Sequence, residues 1–168
     1  MDLFSNKAET YARYRWDYAP AAVRDVMEAS ALPPDCTAAD VGSGTGILTA
    51  HLLSYAGDVY AVEPSRQMRA QAEVRLGDVP GYICVNGKAE QTGLSSGSVD
   101  IITSGQSIHW FDPEPARREF QRILRPEGRI AFFWNSGERS RLTEETEKLF
   151  AAYRRPGSRP TEQIGRAH

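Results

Sequence analysis

The chain has 168 residues, 40% of them hydrophobic, which suffices for one buried core and makes a single domain the expectation. It carries 20 basic and 22 acidic residues, interspersed, for a net charge of −2, so no basic surface calls for DNA or RNA. No apolar run approaches the roughly 20 residues of a membrane span, and Met1-Asp2-Leu3-Phe4 is not a signal-peptide start, so the expected location is cytoplasmic.

In chain order, residues 1–34 read as an N-terminal helical segment bearing Phe4, Tyr11, Tyr14, Arg15 and Tyr18. An α/β domain is expected over residues 35–135. Thr37 to Val41 is short, apolar and ended by glycine, as a buried strand would be. Gly42-Ser43-Gly44-Thr45-Gly46 follows, and Ile47, Leu48, Leu52 and Tyr55 recur at helical spacing. Alternate glycines at such a junction let backbone N–H groups approach a ligand at a helix N-terminus. Val59-Tyr60-Ala61-Val62 reads as a second strand closed by Glu63, where a carboxylate can hold the two hydroxyls of a ribose. Ser65 is the expected N-cap of a helix carrying Met68, Ala70, Ala72 and Val74. Tyr82 to Val85 and Ile101 to Ser104 read as the third and fourth strands. A helix is expected to end in Leu124-Arg125-Pro126-Glu127-Gly128, with a fifth strand from Arg129 to Trp134. Strands alternating with helices predict a parallel sheet with right-handed crossovers. Cys36 and Cys84 lack metal or disulfide spacing, and Cys84 reads as a small core residue.

The ligand indicated is a nucleoside, and two cofactor classes compete. A dinucleotide fingerprint, G-x-G-x-x-G, requires glycine where Ile47 stands. The chain instead has G-x-G-x-G, with Asp40 two residues before the first glycine. A carboxylate aimed at the loop suits a cationic amino acid group and repels a pyrophosphate.

These features resemble motif I of the class I S-adenosylmethionine (SAM) dependent methyltransferases. "D-V-G-S-G-T-G", "A-V-E-P-S", "G-K-A-E", "S-V-D-I-I-T-S" and "R-I-L-R-P-E-G-R-I-A-F-F-W-N" fall in the order and spacing of the methyltransferase type 11 group, from Phe4 to Asn135. Ser107-Ile108-His109-Trp110-Phe111 resembles the "H-W-F" signature of its trans-aconitate methyltransferase-like branch. The N-terminal aromatics resemble that branch's opening, although Trp16 stands where the pattern has proline.

The resemblance implies a Rossmann-like sheet of order 3-2-1-4-5 and SAM as cofactor. It implies cofactor contacts from Asp40, Gly42, Ser43, Gly44, Gly46, Glu63, Pro64, Met68, Ala89, Glu90, Ser104 and Gln106. Asp40 would face the amino acid part and Glu63 the ribose, while Ala89 and Glu90 would face the adenine. Met68 is as readily core, and Glu90 as readily a solvated loop charge. His109 is the candidate catalytic group, since histidine titrates near neutral pH and can take a proton; a positioning role beside Trp110 is the alternative. Tyr11, Arg15 and Trp110 are the substrate-side candidates, with Tyr14 and Tyr18 completing a lid. Asp112-Pro113 reads as N-cap and first helical position, and His51 as a surface or interface residue.

The expected activity is methyl transfer from SAM to a small-molecule acceptor, with a carboxylate among the candidates. An NAD(P)-binding oxidoreductase and an inactive nucleoside-binding fragment are the alternatives. Residues 136–168 read as the start of an inserted helical segment, with a helix from Leu142 to Arg155, followed by a tail. The family's last two strands are expected to be missing. Gln163 to His168 can be encoded by a sequencing-library adapter, so the tail is expected to be non-native.

Overall fold

The structure, a computed structural model, describes residues 17–135. The expectations for Tyr11, Tyr14, Arg15, the Leu142–Arg155 helix, the further strands and the tail lie outside these residues. Strands β1 (Thr37–Val41), β2 (Asp58–Val62), β3 (Tyr82–Val85), β4 (Val99–Gly105) and β5 (Leu124–Phe133) form one parallel sheet of order β3-β2-β1-β4-β5. The helices are α1 (Pro20–Ala29), α2 (Ile47–Leu52), α3 (Arg66–Leu76) and α4 (Pro113–Ile123), with a 3₁₀ turn over Ile108–Trp110. No helix among the described residues is long and apolar enough to cross a membrane.

Strand periodicity divides the core between the two faces of the sheet. On one face Ala38, Val59 and Ile101 pack with Val23, Met27, Leu48 and Leu52. On the other Ala39, Val62 and Ile102 pack with Ala116, Phe120 and Ile123. Strand β1 lies between β2 and β4, with Ala38 opposite both Val59 and Ile101. The chain winds outward from β1 through β2 to β3, then returns to β4 on the other side. The carboxyl ends of β1 and β4 therefore flank a crevice where the winding reverses, and open α/β sheets bind ligands at such a point.

Two expectations are corrected. Strand β5 begins at Leu124, directly after α4, and not at Arg129. Leu124 pairs with Val99 while Arg129 pairs with Ile101, so Arg125 to Gly128 form a bulge within the strand, where Glu127 has φ +67°. Tertiary pairing overrides the local proline and glycine signals. Cys84 is exposed, because β3 is an edge strand and its outer positions pack incompletely. The other edge, β5, exposes Ile130, Phe132 and Trp134.

A buried ionic knot ties α4 to the loop that approaches the crevice. Glu119, 8% exposed, accepts from Thr92 N–H at 2.8 Å and Thr92 Oγ1 at 2.6 Å. Arg122 donates to the same carboxylate and, through Nη2, to the Leu94 carbonyl at 2.7 Å. The Arg122 hydrogen bonds chiefly, helped by those from Thr92 against the cost of burial, hold the Glu119 carboxyl down at about 2. Glu119→Ala is expected to cost about 1–3 kcal/mol in a urea melt at neutral pH, since it strands buried donors. A depressed carboxyl stabilises above its unfolded value. The knot's contribution is thus full above pH 4.5 and lost as pH falls towards about 2, so parent and variant melts should converge in acid.

Candidate active site

The glycine loop turns out of β1 with Gly42, Gly44 and Gly46 at φ +70°, +59° and +78°, a region that L side chains rarely adopt. A Cβ on Gly42 would lie 2.7 Å from Ser107 Cβ and Oγ, so the turn after β4 seats directly on the loop. A Cβ on Gly46 would lie 2.8 Å from Leu76 Cδ1, so Gly46 serves the packing of α3 against the loop. Four of the five loop amides are engaged within the protein. Gly42 and Ser43 N–H donate to the Val62 carbonyl at 2.8 and 3.1 Å, Gly44 N–H to Glu63 Oε2 at 3.0 Å, and Gly46 N–H to the Ser43 carbonyl at 3.0 Å. With those four amides engaged and a carboxylate bonded to the loop, few donors remain there for a pyrophosphate.

Over the loop opens a cavity of about 450 Å³, within the range of small-molecule and cofactor sites. Gly42, Gly44, Glu63, Pro64 and Met68 form one side; Ala89, Glu90, Gln106 and Trp110 form the other. Nine residues expected to line a cofactor or substrate site thus converge from five separate segments. Glu63 is 8% exposed and its Oε1 accepts from Ser65 N–H at 2.9 Å, so its carboxylate is fixed at the cavity wall. Ser65 caps α3 through Met68 N–H at 3.5 Å, which brings Met68 beneath Gly44. Glu90 Oε1 accepts from Asp112 N–H at 2.8 Å, joining the β3–β4 loop to the turn before α4. Asp112 occupies the N-cap position before Pro113 but makes no side-chain cap bond.

A second, smaller cavity of about 20 Å³, room for about one water, adjoins the loop and is lined by Tyr18, Asp40, Ser43 and Gly105 among others. Asp40 is fully buried and accepts from Thr49 Oγ1 at 2.7 Å and Thr103 Oγ1 at 3.2 Å. Burial, only partly countered by those hydroxyls, pushes its carboxyl up to about 6. Ser43 Oγ is buried without a hydrogen-bond partner, a state that a bound polar group would relieve. The larger cavity thus has room for a nucleoside, with Asp40 and Ser43 close by at the small one. A raised carboxyl gives stability below its unfolded value and loses it as pH rises through about 6. A ligand ammonium beside Asp40 favours the ionised form, so affinity for an amino acid-bearing nucleoside should rise with pH through about 6. Calorimetry at that pH in buffers of different ionisation enthalpy should register a released proton.

The structure separates some candidates from this cavity. Ser104 is buried behind it, with its Oγ 3.0 Å from Ser107 Oγ. His109 is exposed and stacks between Trp110, at 4.8 Å between ring centroids, and Trp134, at 5.4 Å; it does not line the cavity. Ser107, Phe111, Ser65 and Lys88 line the larger cavity but were not among the expected site residues. Ser107 Oγ lies 3.1 Å from the Gly42 carbonyl, a contact across 65 residues that no local pattern announces. Phe111 and Lys88 sit inside the "H-W-F" and "G-K-A-E" motifs, where membership was the available signal.

Fold and site together define a Rossmann-like α/β domain with a cavity at the carboxyl edge of its sheet. The methyltransferase-domain family matches residues 39–132. An uncharacterized methyltransferase of Mycobacterium tuberculosis is 35% identical over 133 residues, covering 79% of this chain and 52% of the relative. One from Schizosaccharomyces pombe is 30% identical over 138 residues, covering 82% and 54%. Among solved structures, a putative type II methyltransferase from Anaeromyxobacter dehalogenans superposes with a TM-score of 0.69 at 27% identity, covering 83% of this chain and 58% of that one. A putative methyltransferase from an antibiotic biosynthesis pathway of Anabaena variabilis gives 0.64 at 33% identity, covering 78% and 53%. The chain belongs to the methyltransferase-domain family, and its cofactor is SAM. It spans about half the length of the curated relatives it matches.

Proposed function

We propose that the protein transfers the methyl group of SAM to a small molecule whose acceptor atom lies on the His109–Trp110 side of the crevice, with a carboxylate as the favoured acceptor. Convergence of Glu63, Met68 and Ala89 on one cavity beside Asp40 supports this assignment of the donor's two ends. In this reading Glu63 holds the ribose hydroxyls, Met68 and Ala89 flank the adenine, and Asp40 and Ser43 serve the amino acid end. SAM supplies the activated methyl carbon; the protein aligns the acceptor in line with it and excludes water. The carboxylate is supported by the "H-W-F" resemblance to the trans-aconitate methyltransferase-like branch.

A carboxylate is already a charged nucleophile and requires no general base. His109→Ala is therefore expected to raise the acceptor KM while leaving kcat within about tenfold. A fall in kcat of about 10²–10⁴-fold would instead mark general-base work on a neutral hydroxyl or amine. The test is transfer of labelled methyl from SAM to a panel of small carboxylic acids, alcohols and amines. Methyl esters release labelled methanol in alkali, so alkali-stable label would contradict the carboxylate reading.

A further inference from the structure

The half-buried histidine of α2 has a partner that links it to the small cavity. His51 Nε2 lies 2.7 Å from Asp17 Oδ1, and since a carboxylate only accepts, the ring N–H donates. The same Oδ1 accepts from Tyr18 N–H at 2.8 Å. Asn135, just past β5, donates from Nδ2 to the Asp17 carbonyl at 3.3 Å. One residue thus joins the helix after the glycine loop, the chain entering α1 and the end of β5. Burial raises the Asp17 carboxyl, but the hydrogen bonds from His51 and Tyr18 outweigh it and hold the group below its ordinary range.

What this clasp orients is Tyr18. Its ring is 5% exposed and meets Phe133 edge-on at 6.0 Å. Its hydroxyl lies so close over Gly105 that a Cβ there would collide with it, and with Asp40, Ser43 and Leu48 it walls the small cavity. Tyr18 is the first residue after the clasp, so its position depends on the backbone direction that Asp17 sets.

The geometry points to His51 and Asp17 as positioning residues for the methyl donor: their contact, steadied by Asn135, holds Tyr18 as the wall of the one-water cavity that the donor's amino acid end would abut at Gly42 and Ser43. This rests on the proposed placement of that end beside Asp40 and Ser43. Neither residue touches the donor; both act through Tyr18, so the adenosine end should not sense their loss.

Two ligands divided at that boundary test it. S-adenosylhomocysteine carries the amino acid, whereas 5′-methylthioadenosine keeps the nucleoside and lacks it. In calorimetric titrations of the full chain, His51→Ala and Asp17→Ala should each weaken S-adenosylhomocysteine by about tenfold, the scale of one lost polar contact. Both should leave 5′-methylthioadenosine within about twofold of the parent. The double variant should lose little more than either single, since both remove one interaction. Asp17→Asn, which keeps an oxygen for His51 and Tyr18, should recover most of the affinity. Equal losses for the two ligands would make the clasp merely structural and overturn the inference, as would unchanged affinity for S-adenosylhomocysteine. If the alanine variants do not fold, the Asp17→Asn and Tyr18→Phe pair decides: selective loss of S-adenosylhomocysteine only in the latter supports it, and selective loss in neither overturns it. A parent that binds neither ligand refutes the donor-site reading, and the clasp assignment falls with it.

Discussion

Glu63→Ala should weaken S-adenosylhomocysteine binding by about 1–3 kcal/mol, the range for leaving buried polar partners unpaired. Two effects combine. The ribose loses its acceptor, and Gly44 and Ser65 N–H lose theirs, at 3.0 and 2.9 Å. Because Ser65 caps α3 and that helix carries Met68, loosening the cap also disturbs the floor of the cavity. Glu63→Gln keeps one oxygen and should fall between parent and alanine. Calorimetric affinities of the three proteins check this order, and parental affinity in Glu63→Ala would remove Glu63 from the site.

Gly42→Ala is expected to damage both stability and donor binding. It meets two independent obstacles. A non-glycine residue at φ +70° is strained by about 1–3 kcal/mol, and its Cβ would lie 2.7 Å from two atoms of Ser107. The Ser107 turn must move off the loop, taking with it Gln106 and Trp110 on the far wall of the cavity. Melting temperature and S-adenosylhomocysteine affinity should both drop. Ser107→Gly removes the two colliding atoms, so the double variant should recover most of the steric part while retaining the cost of the positive φ and of the lost Ser107 hydrogen bonds. A double variant no better than Gly42→Ala alone would show that backbone strain is the whole effect.

Much of this architecture was legible because β1 to β4 are short apolar runs bounded by glycine, proline or acidic residues. The sheet order followed from the resemblance and was found in full. The start of β5 was not legible: Leu124 to Gly128 carries helix-ending signals, and only its pairing with Val99 and Ile101 makes it strand. Cys84 reads as core on its own strand, yet its exposure depends on β3 standing at the sheet edge. At the cavity, Glu63 was legible because it closes β2, and the Ala89–Glu90 turn only through the resemblance. The glycine loop was legible as a turn, but the partners of its amides were not. What occupies those amides, the Val62 carbonyl and the Glu63 carboxylate, comes from the neighbouring strand and the residue after it. Ser107 and the Asp17–His51 contact were invisible for the same reason, since their partners lie 65 and 34 residues away.

The engaged loop amides and the Glu63 carboxylate that takes one of them lead us to expect that this pocket selects SAM over a dinucleotide. Calorimetric titration of a single preparation with S-adenosylhomocysteine, then with NADH in the presence and absence of S-adenosylhomocysteine, tests that selectivity directly. S-adenosylhomocysteine should bind one per chain, and NADH should neither release measurable heat nor displace it. NADH binding as tightly as S-adenosylhomocysteine, or displacing it, would contradict the assignment of this cavity to the methyl donor.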